Sequence, residues 1–312
     1  MRVTMVAFLV VGVSCAAQTR PAILGVSHIA VYASDAAQAE HFYVHDMGLK
    51  KGDDPENSAG VRYSVNQEQF VEVLPLPADA GANRLDHLAY LTRNAEQLRA
   101  YLGAKGVTVP NAVKKGSDGS AWFDVQDPEG NKVEFVQPPA KLLDMKGTAG
   151  LYALSGADPI GRRIIHVGML VRDREKEDTF YRGLLGFQPY WYGGMHEHTD
   201  WVSQQVPDGH DWLEYMVYNG DGAPDHISQQ TLGVLNHLSL GVVNMEKTVT
   251  TLYEEDRLGD TPARPQIGRD GKWQFNAYDP DKTRVELMEF TAAAKPCCSE
   301  FTAANPTPEG QP

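Results

Sequence analysis

Four histidines in this chain share one local pattern that is suited to metal binding. Each stands near the start of an apolar run and is followed by a branched aliphatic residue and then by Ala, Gly or Ser; they are His28, His87, His166 and His237. Four glutamates stand between apolar residues in strand-like segments further along, at Glu72, Glu134, Glu214 and Glu286. The spacing from His to Glu is 44 (28 to 72), 47 (87 to 134), 48 (166 to 214) and 49 (237 to 286) residues.

The chemistry of these eight side chains favours metal binding. A carboxylate inside an apolar strand is costly unless it is paired or bound to a metal. A single strand histidine or glutamate is more often a satisfied or solvent-facing residue, but four matched pairs favour ligation. Neutral imidazole and carboxylate oxygen suit Zn, Ni, Fe, Mn or Co, with positions left for water or substrate. We therefore predict that all eight are metal ligands.

The elements that must position these residues repeat along the chain. His28 precedes Phe42-Tyr43 by 14 residues and Gly48 by 20, and His166 precedes Phe180-Tyr181 and Gly186 by the same spacings. Each repeat reads as a strand, a helix and then two or three further strands. The pattern predicts an α+β fold built from four modules, two in each half of the chain.

A chain of 312 residues is long enough for about two domains. We predict a signal peptide over 1–17, a first domain over 23–138 with modules 23–77 and 84–138, a linker over 139–162, a second domain over 163–291 with modules 163–219 and 234–291, and a flexible tail over 292–312.

The N-terminal stretch is typical of a secretory signal peptide. A basic start is followed by an apolar run over 3–13 and by small residues up to Ala17, after which we predict cleavage. The run is too short for a membrane span, and Cys15 leaves a lipoprotein site as the alternative. The mature protein is therefore expected to be secreted or periplasmic. Its remaining cysteines, Cys297 and Cys298, could form a vicinal disulfide, an intermolecular bridge or two free thiols.

The overall charge narrows the choice of partner. A net charge of −13 argues against nucleic acid, because phosphate contacts need clustered Lys and Arg. We expect a small-molecule substrate and no membrane span. The duplicated ligand sets are compatible with a monomer that carries two pseudo-equivalent sites.

The chain resembles the vicinal oxygen chelate superfamily, which includes glyoxalase I, extradiol ring-cleaving dioxygenases, fosfomycin-resistance enzymes and bleomycin-binding proteins. The resemblance covers about 23–138 and 163–290. It rests on the histidine strands, the Phe-Tyr…Gly helix ends, the turn Asp127-Pro128-Glu129-Gly130 and the Val-Glu strands. It implies two tandem domains of paired βαβββ modules, which form curled mixed sheets around a divalent metal.

The glyoxalase-like ligand pattern of His, Glu, His and Glu is matched in both halves of the chain. The resemblance leaves two assemblies open, with each site formed within one half or exchanged between the halves. It implies a lyase or isomerase that works on an oxygen-chelating substrate through an enediolate-type intermediate. In that mechanism Glu134 or Glu286 would leave the metal and act as the base.

Two other functions within the same superfamily remain open. An extradiol dioxygenase would take His166, His237 and Glu286 as ligands, but Asn276 stands where such enzymes have a tyrosine. A non-catalytic drug-binding protein would not need the buried glutamates. Further residues are candidates for substrate contact, namely His196, His198 and Asn276, with Trp191, Tyr192, Trp201 and Trp212 as aromatic pocket walls. His226 is a candidate base for the dioxygenase.

Overall fold

Two curled sheets of eight strands each make up the described structure. The computed structural model describes residues 19–143, 159–195, 198–218 and 227–309. The predicted signal peptide and much of the predicted linker lie outside these ranges. The strands of the first sheet are β1 (Ile23–Ala33), β2 (Lys50–Asp53), β3 (Val61–Ser64), β4 (Phe70–Pro75), β5 (Leu85–Thr92), β6 (Lys114–Lys115), β7 (Ala121–Gln126) and β8 (Lys132–Gln137).

The second sheet repeats the first in the same order. Its strands are β9 (Arg163–Val171), β10 (Gln188–Gly193), β11 (Trp201–Gln205), β12 (Trp212–Val217), β13 (His237–Val242), β14 (Gln266–Ile267), β15 (Trp273–Tyr278) and β16 (Arg284–Glu289). The helices are α1 (Ala36–Glu40), α2 (Ala95–Ala104), α3 (Ala140–Leu143), α4 (Arg174–Asp178), α5 (Gln229–Leu235) and α6 (Met245–Glu254). The four predicted βαβββ modules are confirmed, with α1, α2, α4 and α6 as their helices.

The strand order brings the two modules of each half together at the centre of one sheet. The orders are β2-β3-β4-β1-β5-β8-β7-β6 and β10-β11-β12-β9-β13-β16-β15-β14. The first strands of the two modules, β1 and β5, pair antiparallel, while each pairs parallel with the last strand of its own module. The four strands of each half that carry predicted ligands are therefore neighbours.

Aspartate side chains cap the starts of α1 and α4. Asp35 accepts hydrogen bonds from the N–H groups at the start of α1, and Asp173 does the same at α4. The α1 helix ends at Glu40 and continues as a π-helical segment, His41–Asp46. The wider turn buries two consecutive aromatic residues, Phe42 and Tyr43, in the core, and the second half repeats it over Thr179–Leu184.

The two halves are joined by reciprocal hydrogen bonds. Gln69, just before β4, accepts from the N–H of Ile164 and donates to its carbonyl, both at 2.9 Å. Asp211, at the equivalent place before β12, accepts from the N–H of Val26 at 3.1 Å and pairs with Arg163 at 2.5 Å. One hydrophobic cluster includes buried residues of both sheets, so the halves share a core.

The two Asp-Pro turns make a second reciprocal contact. Glu129 accepts from the N–H of Asp173 at 2.5 Å, at the start of α4. The equivalent Asp281 accepts from the N–H of Ser34 at 2.7 Å, just before α1. Each turn thus docks on the helix start of the opposite half, which fixes the pseudo-twofold arrangement.

The C-terminal segment, expected to be a loose tail, instead lies along the edge strand β10. The backbone N–H of Thr302 donates to the Tyr190 carbonyl at 3.0 Å, and the Phe301 ring packs on Tyr190 with centroids 5.0 Å apart. Cys297 and Cys298 are joined by a disulfide, one of the three possibilities open from the sequence. The expectation missed this because small polar residues hydrogen-bond through their backbone, which leaves no periodic pattern.

The helices in the described part of the chain are all too short or too polar to span a bilayer.

Candidate metal centres

The predicted ligands lie in pairs, with one His and one Glu of each pair on the two strands that flank a central strand. A small residue of the central strand is the register partner of both. In the first half Ala30 is the register partner of both Glu72 and His87, and Ala89 is the partner of both His28 and Glu134. Four side chains therefore project from two adjacent rows on one sheet face.

The second half builds the same two rows with Gly168 and Ser239. Gly168 stands between Glu214 and His237, and Ser239 stands between His166 and Glu286. These are the small residues that follow each histidine by two positions. A larger side chain there would fill the space in which the ligands meet.

In the first centre the two imidazoles meet directly. The Nε2 atoms of His28 and His87 lie 2.9 Å apart. The Oε1 atom of Glu134 is 3.5 Å from His28 Nε2, and the Oε2 atom of Glu72 is 3.6 Å from His87 Nε2. All four side chains are buried.

The second centre has the same composition and similar distances. The Nε2 atoms of His166 and His237 lie 3.1 Å apart. The Oε2 atom of Glu286 is 3.2 Å from His166 Nε2, and the Oε2 atom of Glu214 is 3.5 Å from His237 Nε2. The structure therefore brings all eight predicted ligands together in two groups of four, each within one half rather than exchanged between halves.

The donor sets fit a divalent metal. Burial lowers the pKa of His28, His87 and His237, so these imidazoles are neutral at pH 7, which is the form that binds metal. In each centre, imidazole nitrogens and carboxylate oxygens point at one another with few protons between them, and a cation would stabilise this arrangement. The buried Oε1 of Glu134 has no hydrogen-bond partner among the described residues.

The outer nitrogen of each histidine is held differently in the two halves. Asp86 lies 2.6 Å from His87 Nδ1, and the Leu235 carbonyl lies 3.0 Å from His237 Nδ1. Such partners fix the ring orientation and the tautomer of a ligand histidine. His166 Nδ1 is buried without a hydrogen-bond partner among the described residues. The His166 ring instead stacks on Trp212, with ring centroids 4.7 Å apart.

The glutamates of the first centre contact a charged cluster made of Arg62, Asp54 and Glu56. Arg62 Nε is 2.9 Å from Asp54 Oδ1, and its terminal nitrogen is 2.8 Å from Glu56 Oε1. Burial and the neighbouring Asp54 carboxylate raise the pKa of Glu72, and burial followed by the charge of Glu56 raises the pKa of Glu134. A bound cation would relieve this crowding of carboxylates, in which Asp54 contacts Glu72 and Glu56 contacts Glu134.

The second centre opens into a pocket of about 370 Å³. Both of its glutamates line the pocket, together with Trp191, Met195, Trp201, Gln266, Ile267, Gly268, Arg269, Asp270, Gln274, Asn276 and Arg284. Burial alone would raise the pKa of Glu286, but contact with His166 and the charge of Arg284 hold this pKa at about 2. Glu286 is therefore ionised at neutral pH and borders the open space.

A larger cleft of about 900 Å³ lies between α1 and the loop after α6. It shares Gln266, Gln274 and Asn276 with the pocket at the second centre, but its lining contains none of the eight predicted ligands. The chemistry is therefore concentrated in the smaller space.

The predicted substrate-contact residues have different positions. Asn276 lies across the strand pair from Glu286 and lines the pocket, with its Oδ1 buried and without a hydrogen-bond partner among the described residues. His198 is exposed and does not line it. His196 and His226 lie outside the described residues. Of the predicted aromatic walls, Trp191 and Trp201 line the pocket, whereas Trp212 lies behind His166.

Sequence reasoning missed two cations near the second centre. Arg284 stands two residues before Glu286 in β16, and this strand spacing places both on one face, a signal that could have been used. Lys272 is fully buried, with its Nζ 4.6 Å from the Trp212 ring centroid. No periodic pattern marks Lys272, because the loop that carries it is placed by the tertiary fold.

The comparisons with known proteins agree with this architecture. The family model described as "Glyoxalase/Bleomycin resistance protein/Dioxygenase superfamily" matches residues 25–135 and 163–287. No curated protein sequence is significantly similar to the chain.

Solved structures share the fold at low sequence identity. A catechol 2,3-dioxygenase superposes with a TM-score of 0.63 and 16% identity, covering 93% of this chain and 95% of its own. The Mn(II)-bound glyoxalase from Novosphingobium aromaticivorans has a TM-score of 0.63 and 17% identity, with 86% and 83% covered. A variant of homoprotocatechuate 2,3-dioxygenase from B. fuscum has a TM-score of 0.61 and 17% identity, with 87% and 72% covered. With its two matched repeats and its four βαβββ modules, the chain belongs to the Glyoxalase/Bleomycin resistance protein/Dioxygenase superfamily.

Proposed function

We propose that this protein is a metal-dependent lyase or isomerase that acts on a small oxygen-chelating substrate at the second centre. One observation carries the proposal. Glu214 and Glu286 both border an open pocket of about 370 Å³, whereas in the first centre Glu72 and Glu134 contact Asp54 and Glu56, which are paired with Arg62. A substrate can therefore reach the second set of ligands, and the first set is suited to a structural metal.

The proposed chemistry is proton transfer beside a carbonyl group. A divalent metal held by His166, Glu214, His237 and Glu286 would supply Lewis-acid stabilisation of negative charge on substrate oxygens. Glu286 takes the role of base, because it is ionised, lines the pocket and stands next to where a substrate would lie. Glu134, the other candidate base, is buried beside the charged cluster and keeps only a ligand role in this proposal.

The remaining pocket residues orient the substrate. Trp191 and Trp201 present flat apolar surfaces, and the free amide oxygen of Asn276 can accept a hydrogen bond from a substrate hydroxyl. These walls also limit water around the reacting carbon, which strengthens the interactions of the charged groups.

Hydrogen exchange tests this proposal with a panel of compounds that share the expected chemistry. The metal-loaded protein would be incubated in D2O with α-hydroxy ketones and 2-oxo acids, and loss of C–H signal followed by NMR. We expect exchange for at least one compound, and a fall of about 100-fold or more in Glu286→Gln, the range typical of a removed general base. Absence of exchange across the panel with fully loaded protein, or an unchanged rate in the variant, would argue against the proposal.

Extradiol ring cleavage is the second candidate. His166 Nε2 lies 3.1 Å from His237 Nε2 and 3.2 Å from Glu286 Oε2, so the three side chains that this function would use as ligands meet at His166. Against this function, Asn276 lines the pocket where a tyrosine would be needed, and Tyr278 lines the outer cleft instead. Loading the protein with Fe(II) anaerobically, adding catechols and then admitting oxygen separates the two functions. A yellow product would favour the dioxygenase.

A further inference from the structure

A basic residue at one equivalent position has different surroundings in the two halves. Lys132 and Arg284 each stand two residues before the strand glutamate of the second module, in β8 and β16. Lys132 forms an ion pair with Asp86, and the same carboxylate lies 2.6 Å from His87 Nδ1. The positive charge of Lys132 is thus neutralised by a carboxylate of the protein itself.

The partner of that ion pair is missing in the second half. Asn236 stands immediately before His237, as Asp86 stands before His87. Its amide makes hydrogen bonds elsewhere, since Oδ1 accepts from the Leu170 N–H and Nδ2 donates to Asn83, both at 2.9 Å. Asn236 carries no charge, so it cannot neutralise Arg284.

Apart from its electrostatic effect on Glu286, Arg284 forms no ion pair or hydrogen bond in the described part of the chain. Its Nε is buried and makes no hydrogen bond there. The nearby carboxylate of Glu286 turns to His166, at 3.2 Å. Arg284 is half-buried and lines the pocket, so a ligand there that accepts a hydrogen bond from its buried Nε would remove an unfavourable unpaired donor.

The pocket around Arg284 lacks the negative charge to balance it once a metal is bound. Glu214 and Glu286 would neutralise a divalent ion, which leaves Arg269 and Arg284 facing Asp270 as the charged groups of the lining. A planar guanidinium is matched in shape to a carboxylate, which it binds through two parallel hydrogen bonds.

We infer that Arg284 forms an anion-binding subsite beside the second centre, and that the substrate is an oxygen-chelating compound that also carries a carboxylate. This inference rests on the proposed function, which supplies the oxygen-chelating part of the substrate. It adds the substrate class and a specificity-determining residue.

A matched pair of chelating probes tests the subsite by binding alone. Butyrohydroxamate and succinate monohydroxamate share the same metal-binding group, but only the second ends in a carboxylate. Isothermal titration would compare them on protein loaded with zinc. We expect the carboxylate probe to bind about tenfold tighter or better, the usual gain from a charge-assisted hydrogen-bonded pair.

Substitutions assign that preference to one residue. Arg284→Met should abolish the preference while leaving butyrohydroxamate affinity within about twofold, and Arg284→Lys should keep part of it. Arg172→Met is the matched control, because it removes an exposed arginine of the same half, whose side chain is 58% accessible. The control should keep the full preference.

The outcomes separate the two hypotheses. Equal binding of both probes by the unsubstituted protein would overturn the anion subsite and leave the chelating function standing, and this result needs no variant to fold. A preference that survives Arg284→Met would also overturn the assignment. Failure of both hydroxamates to bind the zinc-loaded protein would overturn the proposed function, and the subsite with it.

Discussion

The imidazole of His237 fills the space directly above Gly168, where the Cβ of any other residue would overlap the ring. The two residues are register partners on the antiparallel strands β13 and β9. Gly168 is also the partner of Glu214 on β12. The second centre therefore depends on the absence of a side chain at one position between two of its ligands.

Gly168→Ala should weaken metal binding at the second centre selectively. The added methyl group displaces the His237 ring, and misplacing a ligand typically costs about 10- to 100-fold in metal affinity. Competition with a chromophoric chelator would measure this loss. Gly52→Ala is the control, because nothing lies within 4 Å of a Cβ at that position, and equal effects of the two substitutions would contradict the role of the close approach.

Metal stoichiometry should distinguish the two centres. We expect roughly two equivalents of divalent metal in the unsubstituted protein, and roughly one in both His87→Ala and His237→Ala, because each removes one of four ligands. Only His237→Ala should abolish the hydrogen exchange proposed for the second centre. Elemental analysis and the NMR assay check both points. Loss of exchange in a folded His87→Ala protein would place the active centre in the first half instead.

Glu68 should make stability fall as pH rises. Burial, followed by the charge of Asp118, raises the pKa of Glu68 from 4.5 to about 8 in the folded protein. Folding therefore takes up a proton between these values. The contribution of Glu68 to stability is full below about pH 4.5 and declines by up to about 1.4 kcal/mol per pH unit until about pH 8.

Glu68→Gln carries no titrating group and should lose this pH dependence. Urea unfolding of both proteins at pH 5, 6.5 and 8 would measure it, with the variant gaining stability relative to the parent as pH rises. A constant difference between the two proteins across this range would show that Glu68 does not titrate as described.

The C-terminal segment should stabilise the second half. Phe301→Ala removes a ring that packs on Tyr190, and we expect a loss of about 2 kcal/mol in the free energy of unfolding, less than for a fully buried phenylalanine. Tyr253→Ala serves as the comparison, because Tyr253 is 71% exposed and should cost no more than about 0.5 kcal/mol. Similar losses in chemical denaturation would indicate that the segment contributes nothing.

The N-terminal processing remains a prediction from the sequence. When the full chain is expressed in a Gram-negative host, we expect mature protein in the periplasm or medium that begins at Gln18. Intact-mass spectrometry of the fractions measures the cleavage site. Recovery of lipid-modified Cys15 would support the lipoprotein alternative, and unprocessed protein confined to the cytoplasm would contradict both.

The sequence alone determined the repeat and the fold class, and it predicted as metal ligands the eight side chains that the structure brings together. The equal spacings from His28 and His166 to later aromatic and glycine residues mark the duplication, because equivalent modules bury the same kinds of residue at the same places. The small residue two places after each histidine was visible as a pattern, and its meaning follows from strand register. Apolar strands and polar caps are local features, so their residues carry the information.

Tertiary structure decided how the modules pair and what surrounds each centre. Sequence could not choose between sites within halves and exchanged sites, because the same strands could pair either way until β1 is seen beside β5. The two centres have different charged neighbours, since Arg62 pairs with Asp54 near the first and Arg284 lines the pocket of the second. These differences come from loops and from single positions at which the two halves differ. Contacts between residues so far apart in the chain are set by the packing of whole sheets, and no local spacing encodes them.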